Sequence, residues 1–311
     1  MQTTLPQLSG DRLFLTDGGL ETVLIFHKGL ELPHFASFTL LEDEQGRDAL
    51  REYFEGFLEL ARERGAGFIL DTPTWRANPD WAELLGYDVS ALDRVNRGAV
   101  AFAKQLRDEQ ATVDAPVLVN GVLGPRGDGY VADALMSAQE AKDYHAAQVR
   151  SFAGAGADMV SAITMTYAEE AIGIARAAGK AEIAVVISFT VETDGKLPSG
   201  QALGDAIAQV DFETDASVAY YMVNCAHPSH FEHVVEQGGA WLGRIAGLRA
   251  NASTLSHAQL DEAEELDAGD PVALGAGYVA LRKSLRNVNV LGGCCGTDQS
   301  HVAAVAEAWA R

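Results

Sequence analysis

Residues 158–189 read DMVSAITMTYAEEAIGIARAAGKAEIAVVISF. Two β-rich apolar runs, Asp158–Ile163 and Ile183–Phe189, enclose a helix-compatible amphipathic segment, Ala168–Gly179. Both runs are continuously apolar rather than alternating, as in strands buried on both faces. Such a unit predicts two parallel strands joined by a right-handed helical crossover. The pattern recurs outward in both directions. Further strands are expected at Leu13–Thr16, Gly67–Leu70, Pro116–Asn120, Ala219–Asn224, Ile245–Arg249 and Val288–Leu291. Helices are expected at Asp48–Arg64, Ser90–Glu109 and Ser137–Gly154, and glycines at 65, 154 and 179 read as helix C-terminal caps. In the first helix Leu50, Tyr53, Phe54, Phe57, Leu58 and Ala61 recur at three- and four-residue steps, one face of a helix. Eight such repeats predict an α/β fold, a single (β/α)8 TIM barrel over residues 1–311, in preference to an open doubly wound sheet. No linker interrupts it. Gly124–Tyr130 and Gly195–Leu203 read as long loops after strands, and the acidic stretch Asp261–Asp270 as a solvated helix end or loop.

Composition narrows the function classes. The 311 residues carry 44 acidic and 23 basic side chains, a net charge of −21. There is no surplus of Lys and Arg to displace phosphate counterions, and the charge repels anionic lipid, so neither nucleic acid nor a membrane is an expected partner. No uncharged apolar run reaches membrane-spanning length, and Met1–Leu15 lacks the order of a secretory signal. Three cysteines are an odd number and do not suggest a disulfide scaffold; the expected compartment is the cytoplasm. Homo-oligomerisation is compatible with everything in the sequence.

In a barrel of this kind chemistry sits at the carboxyl ends of the strands. Read in order, those ends are TDGGLET, DTPTW, NGVLGPRG, ITMTY, SFTVET, NCAHP, RANAS and GGCCGT. All three cysteines fall there, Cys225 after the sixth strand, Cys294 and Cys295 after the eighth. Glycines 292, 293 and 296 permit a sharp turn that aims two adjacent side chains at one centre. Thiolates suit Zn²⁺ at about 2.3 Å, and three protein ligands leave a fourth position for substrate. A lone free cysteine is usually a small buried hydrophobe. Three together at strand ends favour a metal instead, and neither spacing is the C-x-x-C of a redox pair.

The set TDGGLET, DTPTW, GPRG, GAD, VNC and GGCCGT resembles the zinc-dependent homocysteine S-methyltransferase family. That family takes in betaine–homocysteine and S-methylmethionine-dependent enzymes and the homocysteine module of methionine synthase. The likeness runs from Asp17 to Thr297, and the N-C plus G-G-C-C-G pair is its specific part. The resemblance implies that Cys225, Cys294 and Cys295 are zinc ligands and the catalytic centre. It implies that a substrate thiol takes the fourth position, and that a methyl group passes from a small sulfonium or quaternary ammonium donor to homocysteine, giving methionine. A free small donor is expected in preference to a resident corrinoid. A different thiol substrate, or a non-enzymatic zinc-binding or thiol-sensing barrel, is the alternative.

The resemblance further makes Asp17, Thr72 (with Thr74), Thr164 and Asn224 candidate substrate-binding residues, Asn224 also orienting the loop that carries Cys225. Trp75 packs on the rim or walls the donor pocket, and His227 reads as a loop histidine. One departure stands out. Where many relatives carry a glutamate just before the threonine, Ile163 precedes Thr164. Glu21, at a position where relatives often have a small residue, is expected to supply the missing carboxylate from the neighbouring loop.

Overall fold

A computed structural model of the chain describes residues 5–10, 12–133, 135–263 and 265–310. Among them, eight parallel strands pair in sequence order and close into a barrel. They are β1 (Phe14–Leu15), β2 (Gly67–Asp71), β3 (Val117–Leu123), β4 (Met159–Met165), β5 (Ala184–Phe189), β6 (Tyr220–Asn224), β7 (Ile245–Ala250) and β8 (Val290–Gly293). Closure is made by β1 lying between β2 and β8, with Phe14 opposite Gly67 and Val290. A principal helix follows each strand: α1 (Glu44–Glu63), α2 (Val89–Gln110), α3 (Ala138–Ala155), α4 (Ala168–Lys180), α5 (Leu203–Glu213), α6 (Pro228–Val235), α7 (Pro271–Arg282) and α8 (Gln299–Ala310).

Local chemistry sets the boundaries. α1 starts ahead of the expected Asp48 because the Asp43 side chain accepts from Gly46 N and caps it; its six apolar-face residues are all buried. Gly65, at φ +63°, ends that helix as expected. Gly154 and Gly179 do not act as caps. Both lie inside helices, and α3 is closed by the left-handed Gly156 while α4 runs on to Lys180. β3 continues three residues past the expected Asn120 because Gly121 leaves room for the Phe152 ring; a Cβ there would stand 2.5 Å from Phe152 Cγ. β4 also runs on, through Thr164 at φ +66°, with a register shift against β5 between Ala162 and Met165.

Apolar side chains pack in two main layers, one between strands and helices and one inside the barrel at the strands' amino ends, with a smaller cluster around Phe38, Ala77 and Leu92. The inner layer includes Phe14, Ile69, Met159, Val186, Tyr220, Met222 and Val290. Leu5 joins it, and the buried Gln7 amide reaches Met159 and Tyr220 at 3.3 Å, so the N-terminal segment plugs that end. The opposite end stays open for a site. No helix of the described residues is long and apolar enough to cross a membrane.

Candidate metal centre and its cavity

The carboxyl ends of the strands enclose a cavity of about 510 Å³. The three cysteine sulfurs meet at its wall, all within 4.8 Å of one another, a cluster able to hold a metal ion. Cys225 Sγ lies 2.7 Å from Cys294 Sγ and 3.7 Å from Cys295 Sγ. The first separation exceeds a disulfide bond of about 2.05 Å, and all three cysteines are free. The second matches the roughly 3.8 Å edge of a tetrahedral zinc thiolate with Zn–S near 2.3 Å. Hydrogen bonds from Cys225 and Cys295 hold the Cys294 thiol well below its ordinary pKa, helped by the Arg249 guanidinium. The same contact with Cys294 pushes Cys225 well above its own. Three cysteine sulfurs on one wall are a soft donor set that a thiophilic cation completes by displacing protons.

Backbone constraints aim these sulfurs. Cys225 sits at φ +53°, sparsely populated for a side-chain-bearing residue. Its carbonyl is held there by His257 Nε2 at 2.7 Å and by Asn251 Nδ2 at 3.1 Å. Of the three glycines expected to make a turn, only Gly296 has positive φ, +77°. Gly292 and Gly293 belong to β8 and are glycine for lack of room: a Cβ would fall 1.8 Å from Thr16 Oγ1 or 2.0 Å from Thr297 Oγ1.

The candidate substrate residues divide into those that face the cavity and one that does not. Asp17, Glu21, Thr72 and Thr164 line it, whereas Asn224 stands one layer behind. Asn224 Oδ1 accepts from Thr164 N (3.0 Å) and Ser188 Oγ (2.6 Å), and its Nδ2 donates to Thr164 Oγ1 (2.8 Å). Asn224 thus braces the bend at Thr164 from the base of the Cys225 loop. Thr74 Oγ1 donates to Val122 O (2.8 Å), so Thr72 donates to Thr74 (2.7 Å) and accepts from Val122 N (3.0 Å). Thr72 therefore has no proton left to offer, only a lone pair. Glu21 accepts from Ser37 Oγ at 2.8 Å, and burial raises its pKa. Asp17 is buried with Arg249 at 2.5 Å and Tyr53 Oη at 3.1 Å; burial, against the pull of Arg249, pushes it up to about 7.

Several site residues escaped the sequence reading. Arg249, in RANAS, bridges Asp17 and Asp71 on the cavity floor and donates to Gly293 O at 3.2 Å. A charged residue at a strand end was its only signal. Tyr130, in the loop after β3, stacks on His257 at 4.2 Å and sets its hydroxyl 3.5 Å from Cys295 Sγ. His257 also meets Glu192 at 3.0 Å. Trp75 both lines the cavity and packs at the rim, where Nε1 donates to Ile163 O at 3.2 Å. His227 caps α6, its Nδ1 accepting from Ser229 N at 3.3 Å. Of the acidic stretch, Asp261 ends helix His257–Asp261 and 262–263 and 265–270 are loop, residue 264 lying outside the described residues; Leu260, Leu266 and Asp267 turn inward to wall the cavity.

The chain is thus a (β/α)8 barrel whose strand-end mouth carries a three-thiol centre. It belongs to the homocysteine S-methyltransferase family, which it matches over residues 14–309. It is 27% identical over 286 residues to methionine synthase of Mycobacterium leprae (strain TN). That match covers 84% of this chain, which spans about a fifth (21%) of the relative's length. Its fold is similar to that of the Escherichia coli homocysteine methyltransferase MmuM, with a TM-score of 0.73, 20% identity and 96% of each chain covered for the metallated form. The oxidized form of the same enzyme gives 0.72 at 20% identity over 95% of each chain.

Proposed function

We propose that this chain moves a methyl group from a small sulfonium or quaternary ammonium donor to the thiol of homocysteine, giving methionine, with zinc held by Cys225, Cys294 and Cys295. The observation that carries the reading is the convergence of three sulfurs, from the ends of β6 and β8, on one wall of the cavity. Zinc, when bound there, keeps a substrate thiol ionised at neutral pH. The thiolate sulfur attacks the methyl carbon; the new S–CH3 bond forms as the bond to the donor's cationic sulfur or nitrogen breaks. The electron pair leaves with the donor, which departs as a neutral thioether or tertiary amine. Charge is neutralised along this path, which a water-poor cavity favours.

The chain's own residues bind and orient. Asp17 and Asp71 share one guanidinium, and an ammonium arriving at the floor draws Asp17, whose pKa burial has raised to about 7, to ionise beside it. Glu21 faces the cavity beside this floor and takes the place of the carboxylate that Ile163 does not supply. Thr72 offers its remaining lone pair to the same ammonium. Tyr130 shields the sulfurs from water. Free thiols at the centre suit a reducing compartment, and we place the enzyme in the cytoplasm.

Zinc-loaded protein supplied with homocysteine and betaine, S-methylmethionine or S-adenosylmethionine in turn tests the reading. Methionine formed with one donor, and abolished by chelation, is expected. No methionine from any of them contradicts it. Ile163 on the cavity wall supports one other reading, a thiol without an amino group as the acceptor. Methylation of 3-mercaptopropionate in preference to homocysteine would establish it.

A further inference from the structure

We propose that Arg76, together with the indole N–H of Trp81, is the anion anchor of this cavity and receives a carboxylate of the bound thiol or methyl donor. The inference rests on the cavity being the methyl-transfer site. Arg76 lies just beyond β2, 6% exposed, on the cavity wall. Its guanidinium is sandwiched between two indoles, 4.0 Å from the Trp75 ring centroid and 3.9 Å from that of Trp81. One nitrogen is spoken for, since Nη1 donates to Gly127 O at 3.0 Å. Nε is buried with no hydrogen-bond partner among the described residues, and so is Trp81 Nε1. Two orphaned donors on stacked groups, both lining one cavity, call for an acceptor brought by a ligand.

The charge points the same way. Among the described residues no carboxylate pairs with Arg76 within 4.0 Å, although Arg126 has Asp80 at 2.7 Å and Arg249 has Asp17 and Asp71. Glu21 and Asp128 act on it only through space, and burial pulls its pKa down to about 10. Stacking on aromatic faces offsets part of the cost of burying the cation but provides no counter-charge. It also fixes the plane of the guanidinium, which suits it to a planar, two-oxygen acceptor. The clamp itself is rigid. Trp75 is tied to Ile163 O, and its ring lies so close to the loop after β3 that a Cβ at Gly124 would meet Cδ1 at 2.8 Å. In a cavity otherwise rich in Asp and Glu, Arg76 is the group that distinguishes an amino-acid-like ligand from a bare cation or thiol.

Calorimetry with matched ligand pairs tests this on purified zinc-loaded protein. Homocysteine is compared with 3-aminopropane-1-thiol, and betaine with choline, each pair differing in the carboxylate. The wild type is expected to prefer the carboxylated member of at least one pair by about tenfold or more. Arg76→Met abolishes that preference, and Trp81→Phe, which keeps the ring and loses the N–H, reduces it. Binding of the uncarboxylated member, itself a cation, is not weakened by Arg76→Met. Preference within the thiol pair assigns the carboxylate to the acceptor, and preference within the donor pair assigns it to the donor. Should Arg76→Met fail to fold, Arg76→Lys and Trp81→Phe carry the same comparison. Equal weakening of both members of a pair, or no preference in either wild-type pair, overturns the anchor. Methionine synthesis without carboxylate preference rejects the anchor alone; preference without methionine synthesis rejects the proposed activity alone.

Discussion

Cys225 and Cys294 are 69 positions apart in the chain, yet their sulfurs stand 2.7 Å from each other. β6 and β8 both flank β7, with Asn224 paired to Arg249 and Arg249 to Gly292, so their ends emerge side by side. Cys225→Ser removes one sulfur without disturbing that pairing. Metal affinity is expected to fall by more than about 100-fold, beyond the range for losing an outer-shell partner, with an unchanged circular dichroism spectrum. Chelator competition measures it.

His257 acts on the same sulfur from behind, by holding the Cys225 carbonyl. His257→Ala frees a strained residue to relax and is expected to lower metal affinity by roughly 10- to 100-fold. His257→Gln, which can still donate to that carbonyl, recovers part of it. Equal affinities in all three proteins would show that the carbonyl bond does not position the thiol.

Glu21→Gln leaves the Ser37 contact a partner but removes the charge. Loss of a charge-assisted hydrogen bond of about 1.5–3 kcal/mol raises the KM for homocysteine by roughly 10- to 150-fold. The turnover number at saturation is expected to stay near that of the wild type. An unchanged KM would return the ammonium to Asp17.

Arg249→Met leaves two carboxylates buried against each other. The expected cost is about 3–5 kcal/mol in urea denaturation. Adding Asp71→Leu, which removes one of the stranded charges, recovers part of the loss. A single variant as stable as the wild type would mean that water reaches the floor of the cavity.

His301 and Asp298, paired at 2.8 Å where α8 begins, predict a pH dependence. Burial pulls the His301 pKa down, but the bonds to Asp298 and the Ala268 carbonyl outweigh it and the net shift is upward. Asp298 is held far below its ordinary value, chiefly by His301. The histidine's contribution is full below pH 6.5 and is lost as pH rises through its folded pKa. The aspartate's is full above pH 3.8 and is lost as pH falls through its own. The stability difference between wild type and His301→Gln should therefore peak between those two values. A difference that grows towards alkaline pH contradicts the pairing.

The barrel was legible because its signal is repeated: continuous apolar runs alternate with amphipathic segments, and each run fixes one strand. The thiol centre was legible because every cysteine stands at a strand end. Features set by two distant elements were not. Arg249 between Asp17 and Asp71 depends on β1, β2 and β7 bringing three charges to one level inside the barrel. The stack of Trp75, Arg76 and Trp81 depends on helix Pro79–Leu84 folding back over the end of β2. Gly154 and Gly179 misled because glycine within a helix leaves the same local mark as glycine that ends one.

Cobalt(II) substitution followed by titration with homocysteine bears most directly on the three-thiol centre. One cobalt per chain is predicted, with a thiolate-to-metal absorption band that shifts and saturates as homocysteine is added. A cobalt-loaded protein without that band, or with a band that saturating homocysteine leaves unmoved, would contradict it.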